Sequence, residues 1–305
     1  MSRSAEHPYP PFDLANRVHS LEGNDPEGFA SYEAKGAFAR EQLLALLPHG
    51  FDLEGKRVLD FGCGAGRTLR HFLAEADSGE FWGADIDRRS IEWLEDNLCP
   101  PLNVLQAGVD PPLPFEPECF DFVWAISVFT HLAGNSAEWL LELHRVLKPG
   151  GLLMASYMGE WNSEEIAGEA WDEDRIGMNT LFHDRPWDEG GPMVLMSDWW
   201  VREHWGRAFE LVVASPWVHN QCWLMMRKKD VSISAAELLE PGPDPREAVA
   251  LGHNLEQVRR EVELLGRHIN GEADRVREVG AGYENSLSWR VTRPVRALGS
   301  LFRRR

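Results

Sequence analysis

The stretch VLDFGCGAGR, residues 58–67, ends an apolar run in an acid and then places Gly62, Gly64 and Gly66 within five positions. Glycine has no Cβ, so such a loop bares backbone N–H groups where a ligand can approach closely. A pyrophosphate would call for the longer G-x-G-x-x-G spacing. Here the spacing is G-x-G-x-G, and Asp60 stands two residues ahead of it. Negative charge at that point suits a cationic ligand better than a phosphate. A second acid, Asp85 in GADID, follows Gly66 by 19 residues, where a carboxylate can accept hydrogen bonds from both hydroxyls of a ribose. The loop and this acid together describe a nucleoside that carries a positively charged, amino-acid-like arm. The bland alternative is that the glycines only shape a tight turn and Asp85 only caps a helix.

These residues need a scaffold, and the surrounding pattern supplies one. From Arg57 to Ser156 short apolar runs alternate with helical stretches: RVLDFG, FWGADID, NVLQAG, FDFVWAIS and GLLMASYM read as strands, and RTLRHFLAEA, RRSIEWLEDNL and AEWLLELHRVL as helices. Such alternation predicts parallel βαβ units in a doubly wound sheet, with ligands at the carboxyl ends of the strands. Residues 159–196 read as irregular and tryptophan-rich. A helix opened by Ser197 and two closing strands, ELVVASP and QCWLMMRK, follow.

S-adenosylmethionine is a nucleoside of the kind the loop describes. VLDFGCGAGR, GADID, LPFEPECFDFVWAISVFTHL and ELHRVLKPGGLLMAS, in that order, resemble the class I S-adenosylmethionine-dependent methyltransferases over about residues 50–228. The resemblance implies an α/β, Rossmann-like, doubly wound seven-stranded sheet with a reversed strand at one edge. It implies that Asp60 orients the methionine ammonium and that Gly62, Cys63 and Gly64 lie against the ligand. Asp85 would hold the ribose, Ile86 would pack on adenine, the backbone of Val109 would meet the adenine edge, and Ser127 would lie near the transferred methyl. Asp110 is displaced from the family's usual acidic position in that loop.

Methyl transfer from a sulfonium is an in-line displacement, so holding acceptor and methyl in line supplies most of the rate. A hydroxyl acceptor also benefits from a base, and His131 in VFTHL is the catalytic candidate, its alternative role being to brace the turn. The Asn-Pro-Pro-Tyr signature of many amino-group methyltransferases is absent, which favours oxygen. His183, Asp184, Trp161, Trp171 and Trp187 lie in the segment where an acceptor lid is expected. Arg67 and Arg70 follow the loop and would meet an anionic substrate or surface acids.

Outside the catalytic segment the chain changes character. Residues 1–50 read as an arm and a helix, 51–230 as the methyltransferase domain, and 231–247, with Pro241, Pro243 and Pro245, as a linker. In residues 248–284, Leu251, Leu255, Val258, Val262, Leu265, Ile269, Val276, Val279 and Tyr283 fall in alternating steps of four and three, interrupted only by Glu272, which favours a coiled-coil helix, for self-association or a partner, over a helix folded back on the enzyme. Residues 285–305 hold six arginines from Arg290 onward around Val295, Leu298, Leu301 and Phe302, a basic amphipathic tail suited to peripheral contact with an anionic membrane. Its SLSWRVTRPVRAL stretch resembles a tail found on enzymes that build bacterial surface polysaccharides.

The net charge of −18 excludes a general nucleic-acid binder. Cys63, Cys99, Cys119 and Cys222 have no metal-ligand spacing, so no metal is expected, and a cytoplasmic chain, at most peripheral at the inner membrane, is the expectation. Three functions compete: a methyltransferase for a sugar hydroxyl of a surface glycan or its lipid-linked precursor, a methyltransferase for a small-molecule hydroxyl in natural-product metabolism, and a non-catalytic S-adenosylmethionine-binding scaffold.

Overall fold

A computed structural model describes residues 7–18, 23–168, 170–183, 185–186, 190–218 and 220–285. The central element is a seven-stranded sheet of order β3-β2-β1-β4-β5-β9-β8. Its strands are β1 (Arg57–Phe61), β2 (Glu80–Asp85), β3 (Asn103–Gln106), β4 (Phe120–Ala125), β5 (Leu147–Tyr157), β8 (Phe209–Val218) and β9 (Gln221–Lys228). The pairs β1–β2, β2–β3, β1–β4 and β4–β5 are parallel, and β9 runs antiparallel to both β5 and β8. The expected Rossmann-like sheet is therefore present. The reversed strand, β9, lies one place in from the edge, with β8 outside it.

The strand period of two divides the core between the sheet's two faces. Val58, Phe122, Trp124, Leu152 and Met154 point into one apolar cluster. Their neighbours Leu59, Val123, Ala125, Leu153 and Ala155 point into the other. Helices α1 (Phe12–Ala15), α2 (Pro26–Leu46), α3 (Arg88–Leu98), α4 (Ser136–Val146), α5 (Glu160–Asn162), α6 (Asp198–Ala208) and α7 (Ala235–Leu239) complete this unit. Local chemistry fixes their starts: Asp25 caps α2 by accepting from Gly28 N at 2.8 Å, with Pro26 in the first turn, and Asp87 caps α3 by accepting from Ser90 N at 3.1 Å.

Three expectations change. RTLRHFLAEA forms two 3-10 turns, Leu69–Phe72 and Glu75–Asp77, instead of an α-helix. Leu69, Arg70, His71 and Phe72 are all buried, so the segment has no solvent face, and packing overrides its helical pattern. The segment 159–196 holds a hairpin, β6 (Met178–Leu181) with β7 (Met193–Met196), which links to the body through Val194 N to Thr130 O at 2.8 Å. The proline-rich stretch is not an open tether. Leu238 is fully buried, and Arg207 donates to the carbonyls of Glu237, Leu238 and Glu240.

The chain divides into two compact units, residues 1–254 and 255–305. A single helix, α8 (Arg246–Asn285), begins in the first, where Glu247 accepts from His204 at 2.7 Å and Ala250 is buried. In the second unit Leu255, Val262, Ile269 and Val276 are exposed along it. The basic tail at 286–305 lies outside the described residues, as do Asp184 and Trp187. No helix among the described residues is long and apolar enough to cross a membrane.

Candidate active site

The glycine loop begins where β1 ends, and β2 holds it in place: Gly62 N and Cys63 N both donate to Ala84 O, at 2.7 and 3.1 Å. All three glycines have positive φ, +82° at Gly62, +52° at Gly64 and +78° at Gly66. Their surroundings differ. A Cβ on Gly62 would lie 2.3 Å from Val128 Cγ2, and one on Gly66 would lie 2.6 Å from Leu94 Cδ2 of α3, whereas one on Gly64 would meet nothing within 4 Å. Gly64 is thus the position at which the loop opens to a ligand. Gly62 and Gly66 exist for the loop's own packing. Cys63 points away from the opening, with its Sγ packed over Gly83, and burial pushes its thiol well above the ordinary value. Only its backbone is available to a ligand.

Because the loop runs into a 3-10 turn, no α-helix N-terminus stands behind it, and two carboxyls, Asp60 and Asp85, lie beside it. Asp60 is 3% exposed and sits beside Trp124 in the sheet register. Burial pushes its carboxyl up to about 8, and the Asp85 charge adds to this against the opposing pull of the Trp124 indole and Arg67. Asp85 accepts from Gly64 N at 2.7 Å and from Asp87 N at 2.8 Å, so it braces the loop; burial raises its carboxyl too. A buried acid with no full neutralisation, next to a glycine whose missing Cβ leaves open space, fits a ligand with an ammonium group.

The other expected residues flank this opening at the carboxyl ends of the strands. Ile86 is half-buried and packs against the core. Val109 is 70% exposed, and its carbonyl already accepts from Asn135 Nδ2 and Trp139 Nε1, at 3.1 and 3.0 Å. That leaves its N–H as the backbone donor for a ligand. Ser127, past β4, has φ +57° and belongs to a closed ring of hydrogen bonds. Ser127 N donates to Ser156 Oγ at 2.7 Å, Ser156 Oγ to Gln221 Oε1 at 2.7 Å, and Gln221 Nε2 to Ser127 Oγ at 2.5 Å.

His131 Nδ1 lies 2.9 Å from Pro192 O. A carbonyl can only accept, so Nδ1 carries the proton and Nε2 the lone pair. Burial, with Arg185 nearby, lowers the imidazole's pKa, against the effect of that hydrogen bond. The ring is therefore neutral at pH 7 and able to accept a proton. Arg70 is fully buried and meets no substrate: its guanidinium lies 4.7 Å from the Tyr9 ring and donates to His7 O. Arg67 is drawn to Asp60 and Tyr32.

The sequence pattern did not single out the N-terminal arm's role or the pocket beyond β5. Arg17 pairs with Asp87, and Arg89 with Asp13 at 2.5 Å, which fastens the arm to the start of α3 beside Asp85. Tyr157 donates from its hydroxyl to Asp198, 41 residues away, so no local spacing could have revealed the pair. Among the described residues no cluster of His, Cys, Asp and Glu could hold a metal.

Residues 59–155 match the methyltransferase domain family. The cofactor of this domain is S-adenosylmethionine, consistent with the buried acid and the open glycine. Phthiotriol/phenolphthiotriol dimycocerosates methyltransferase 1 of Mycobacterium ulcerans is 34% identical over 128 residues, 41% of this chain and 45% of that protein. Methyltransferase GfsG of Streptomyces halstedii is 29% identical over 144 residues, 46% of this chain and 50% of that protein. The chain thus spans about half the length of the curated relatives it matches. A crystal structure from Pyrococcus horikoshii OT3 aligns over 69% of this chain and 95% of its own, with 16% identity and a TM-score of 0.49.

Proposed function

We propose that this chain is an S-adenosylmethionine-dependent methyltransferase that methylates a hydroxyl of a sugar, in a surface glycan or its lipid-linked precursor. The observation that carries the cofactor half is Asp60: a buried carboxylate held up to about 8 stays poorly ionised until a cation arrives beside it. Asp60 would receive the ammonium, the backbone at Gly64 the adjoining arm, Asp85 the ribose hydroxyls, and Ile86 with the Val109 N–H the adenine. When bound, the cofactor supplies an electrophilic methyl on sulfur.

The chain's own residues would supply position and the proton's destination. His131 Nε2 accepts the proton as the acceptor oxygen attacks, and the Pro192 carbonyl holds the ring in the tautomer that leaves this nitrogen free. The Ser127–Ser156–Gln221 ring fixes the loop past β4, whose Val128 also packs on Gly62. An acceptor loop so tied to the glycine loop favours in-line geometry. Support for a glycan acceptor comes from the tail motif at 285–305 and from half-buried Trp161 and Trp171 beside β5. The exposed apolar positions of α8 support self-association of residues 248–284 as a coiled coil.

The second reading, a natural-product or lipid hydroxyl as acceptor, is favoured by the names of the relatives, of which this chain matches about half the length. Incubating the full chain with methyl-labelled S-adenosylmethionine and either a bacterial lipid-linked glycan fraction or a small polyphenol and lipid panel separates the two. Label in the glycan that is lost in His131→Ala supports the first. Label confined to the panel refutes it.

A further inference from the structure

A cavity of about 280 Å³ opens beyond the end of β5. It is lined by Glu160, Glu173 and Asp198, by Trp161 and Trp171, and by the Tyr157 ring, which is 3% exposed and donates its hydroxyl to Asp198. Among the described residues no lysine, arginine or histidine lines it. Two cations stand outside it: Arg246 pairs with Asp244 at 2.6 Å, stacks on Trp199 and attracts Glu173, and Arg202 meets Asp198 at 3.9 Å with both side chains largely in solvent. Gln221 also lines the cavity. Through the ring it forms with Ser156 and Ser127, it joins the cavity floor to the loop past β4. The cavity and the glycine loop therefore open at the same edge of the sheet and share a rigid partition.

We propose that this cavity is the acceptor-ring subsite, built for a hydroxylated ring that bears no anionic group and binding most tightly when the ring carries an amine. This rests on the methyltransferase reading and deepens it. Indole faces supply apolar contact for a ring's C–H face. Carboxylates and amides supply acceptors for hydroxyl and ammonium hydrogens. Three carboxylates without a lining cation repel a phosphate or carboxylate on the ligand, which is specificity by exclusion. A cavity of about 280 Å³, at the lower limit of the usual range of ligand pockets, admits no more than one monosaccharide-sized ring. The acids lie in three successive segments, at α5, before β6 and at the start of α6, and the fold gathers them at one opening.

The test uses the full-length protein at pH 7 and saturation-transfer NMR with glucosamine, glucose and glucose 6-phosphate as probes, alongside calorimetric titration with S-adenosylhomocysteine. Glucosamine and glucose should bind, glucosamine about tenfold more tightly, a difference of about 1.4 kcal/mol, and glucose 6-phosphate should not. Glu160→Gln with Glu173→Gln should bring glucosamine to the level of glucose. Trp171→Ala, a change at a half-buried site, should weaken both sugars. Tyr157→Phe keeps the ring and should weaken binding without removing the preference for the amine. Binding of the phosphorylated sugar as tightly as the others, binding of none of them, or indifference to all three variants would overturn the proposal. Failure to bind S-adenosylhomocysteine with the sugar pattern intact would instead defeat the methyl-transfer reading and leave the subsite standing.

Discussion

A buried acid that must ionise to receive a cation has to release a proton, and Asp60 makes this measurable. With its carboxyl near 8, about 0.9 of the molecules hold a proton on Asp60 at pH 7 in the free protein. An ammonium placed beside it favours the ionised form, so binding at pH 7 expels about 0.9 proton, and about 0.75 at pH 7.5. Affinity follows the ionised fraction, which grows about twentyfold to twenty-fivefold between pH 6 and 7.5. Titration calorimetry with S-adenosylhomocysteine in two buffers of different ionisation enthalpy reads the proton number directly. Asp60→Asn should abolish the release, flatten the pH dependence and weaken binding by about 2 kcal/mol, as for a lost charge-assisted hydrogen bond. The free protein supplies a check of sign. A carboxyl raised in the folded state favours folding only while protonated, so its contribution is fully present below the unfolded value near 4 and lost as pH rises to about 8. Asp60→Asn should therefore raise the thermal midpoint of the ligand-free protein at pH 8 and change it little at pH 4. No proton release at pH 7 in the wild type, with binding intact, would refute the reasoning.

Three other outcomes follow from the same geometry. Gly64→Ala puts a Cβ into open space at φ +52°, so it should cost about 1–2 kcal/mol of stability and weaken cofactor binding, whereas Gly62→Ala, clashing with Val128 at 2.3 Å, should lower stability more; chemical denaturation and calorimetry on each pair read both. His131→Ala should lower kcat about 10²-fold to 10⁴-fold with cofactor affinity retained, and wild-type kcat should stay level from pH 8 down past the ordinary histidine value before falling, because burial lowers the imidazole's pKa; a fall centred above pH 7 contradicts that order. A chain ending at residue 254 should keep cofactor binding and sediment as a smaller species than the dimer or higher oligomer expected of the full chain, and identical association states would remove the coiled-coil role for α8.

The sheet was legible because the buried strands carry short apolar runs while the stretches between them carry helical spacing, and both patterns survive in a single sequence. Val58 and Leu59, Phe122 and Val123, and Leu152 and Leu153 face opposite sides of one layer, which such runs require. The residues after the glycine loop were misread for a related reason. RTLRHF has helical spacing, but Arg70 and His71 are buried with the apolar residues, and a segment enclosed on all sides follows its neighbours, not its own propensity. The hairpin of β6 and β7 stayed hidden in a segment whose tryptophans, proline and glycines carry no strand period.

At the site, the legible part was the part written locally. Asp60, Gly64 and Asp85 lie at the carboxyl ends of the paired strands β1 and β2, and the fold adds a contact that the sequence reading did not foresee, Gly64 N donating to Asp85 at 2.7 Å. Nothing local distinguishes Gly62 from Gly64, since the difference is whether Val128, from the turn after β4, fills the gap. The same holds on the acceptor side. Tyr157 ends β5, Asp198 begins α6 and Gln221 begins β9, so their convergence depends on β9 inserting antiparallel beside β5, where Tyr157 pairs with Cys222. Were β9 to lie outside β8 instead, Gln221 would be two strands from Ser156 and the partition between cofactor loop and cavity would not close. The reversed strand thus carries the side chain, Gln221, that ties the cavity beyond β5 to the loop past β4.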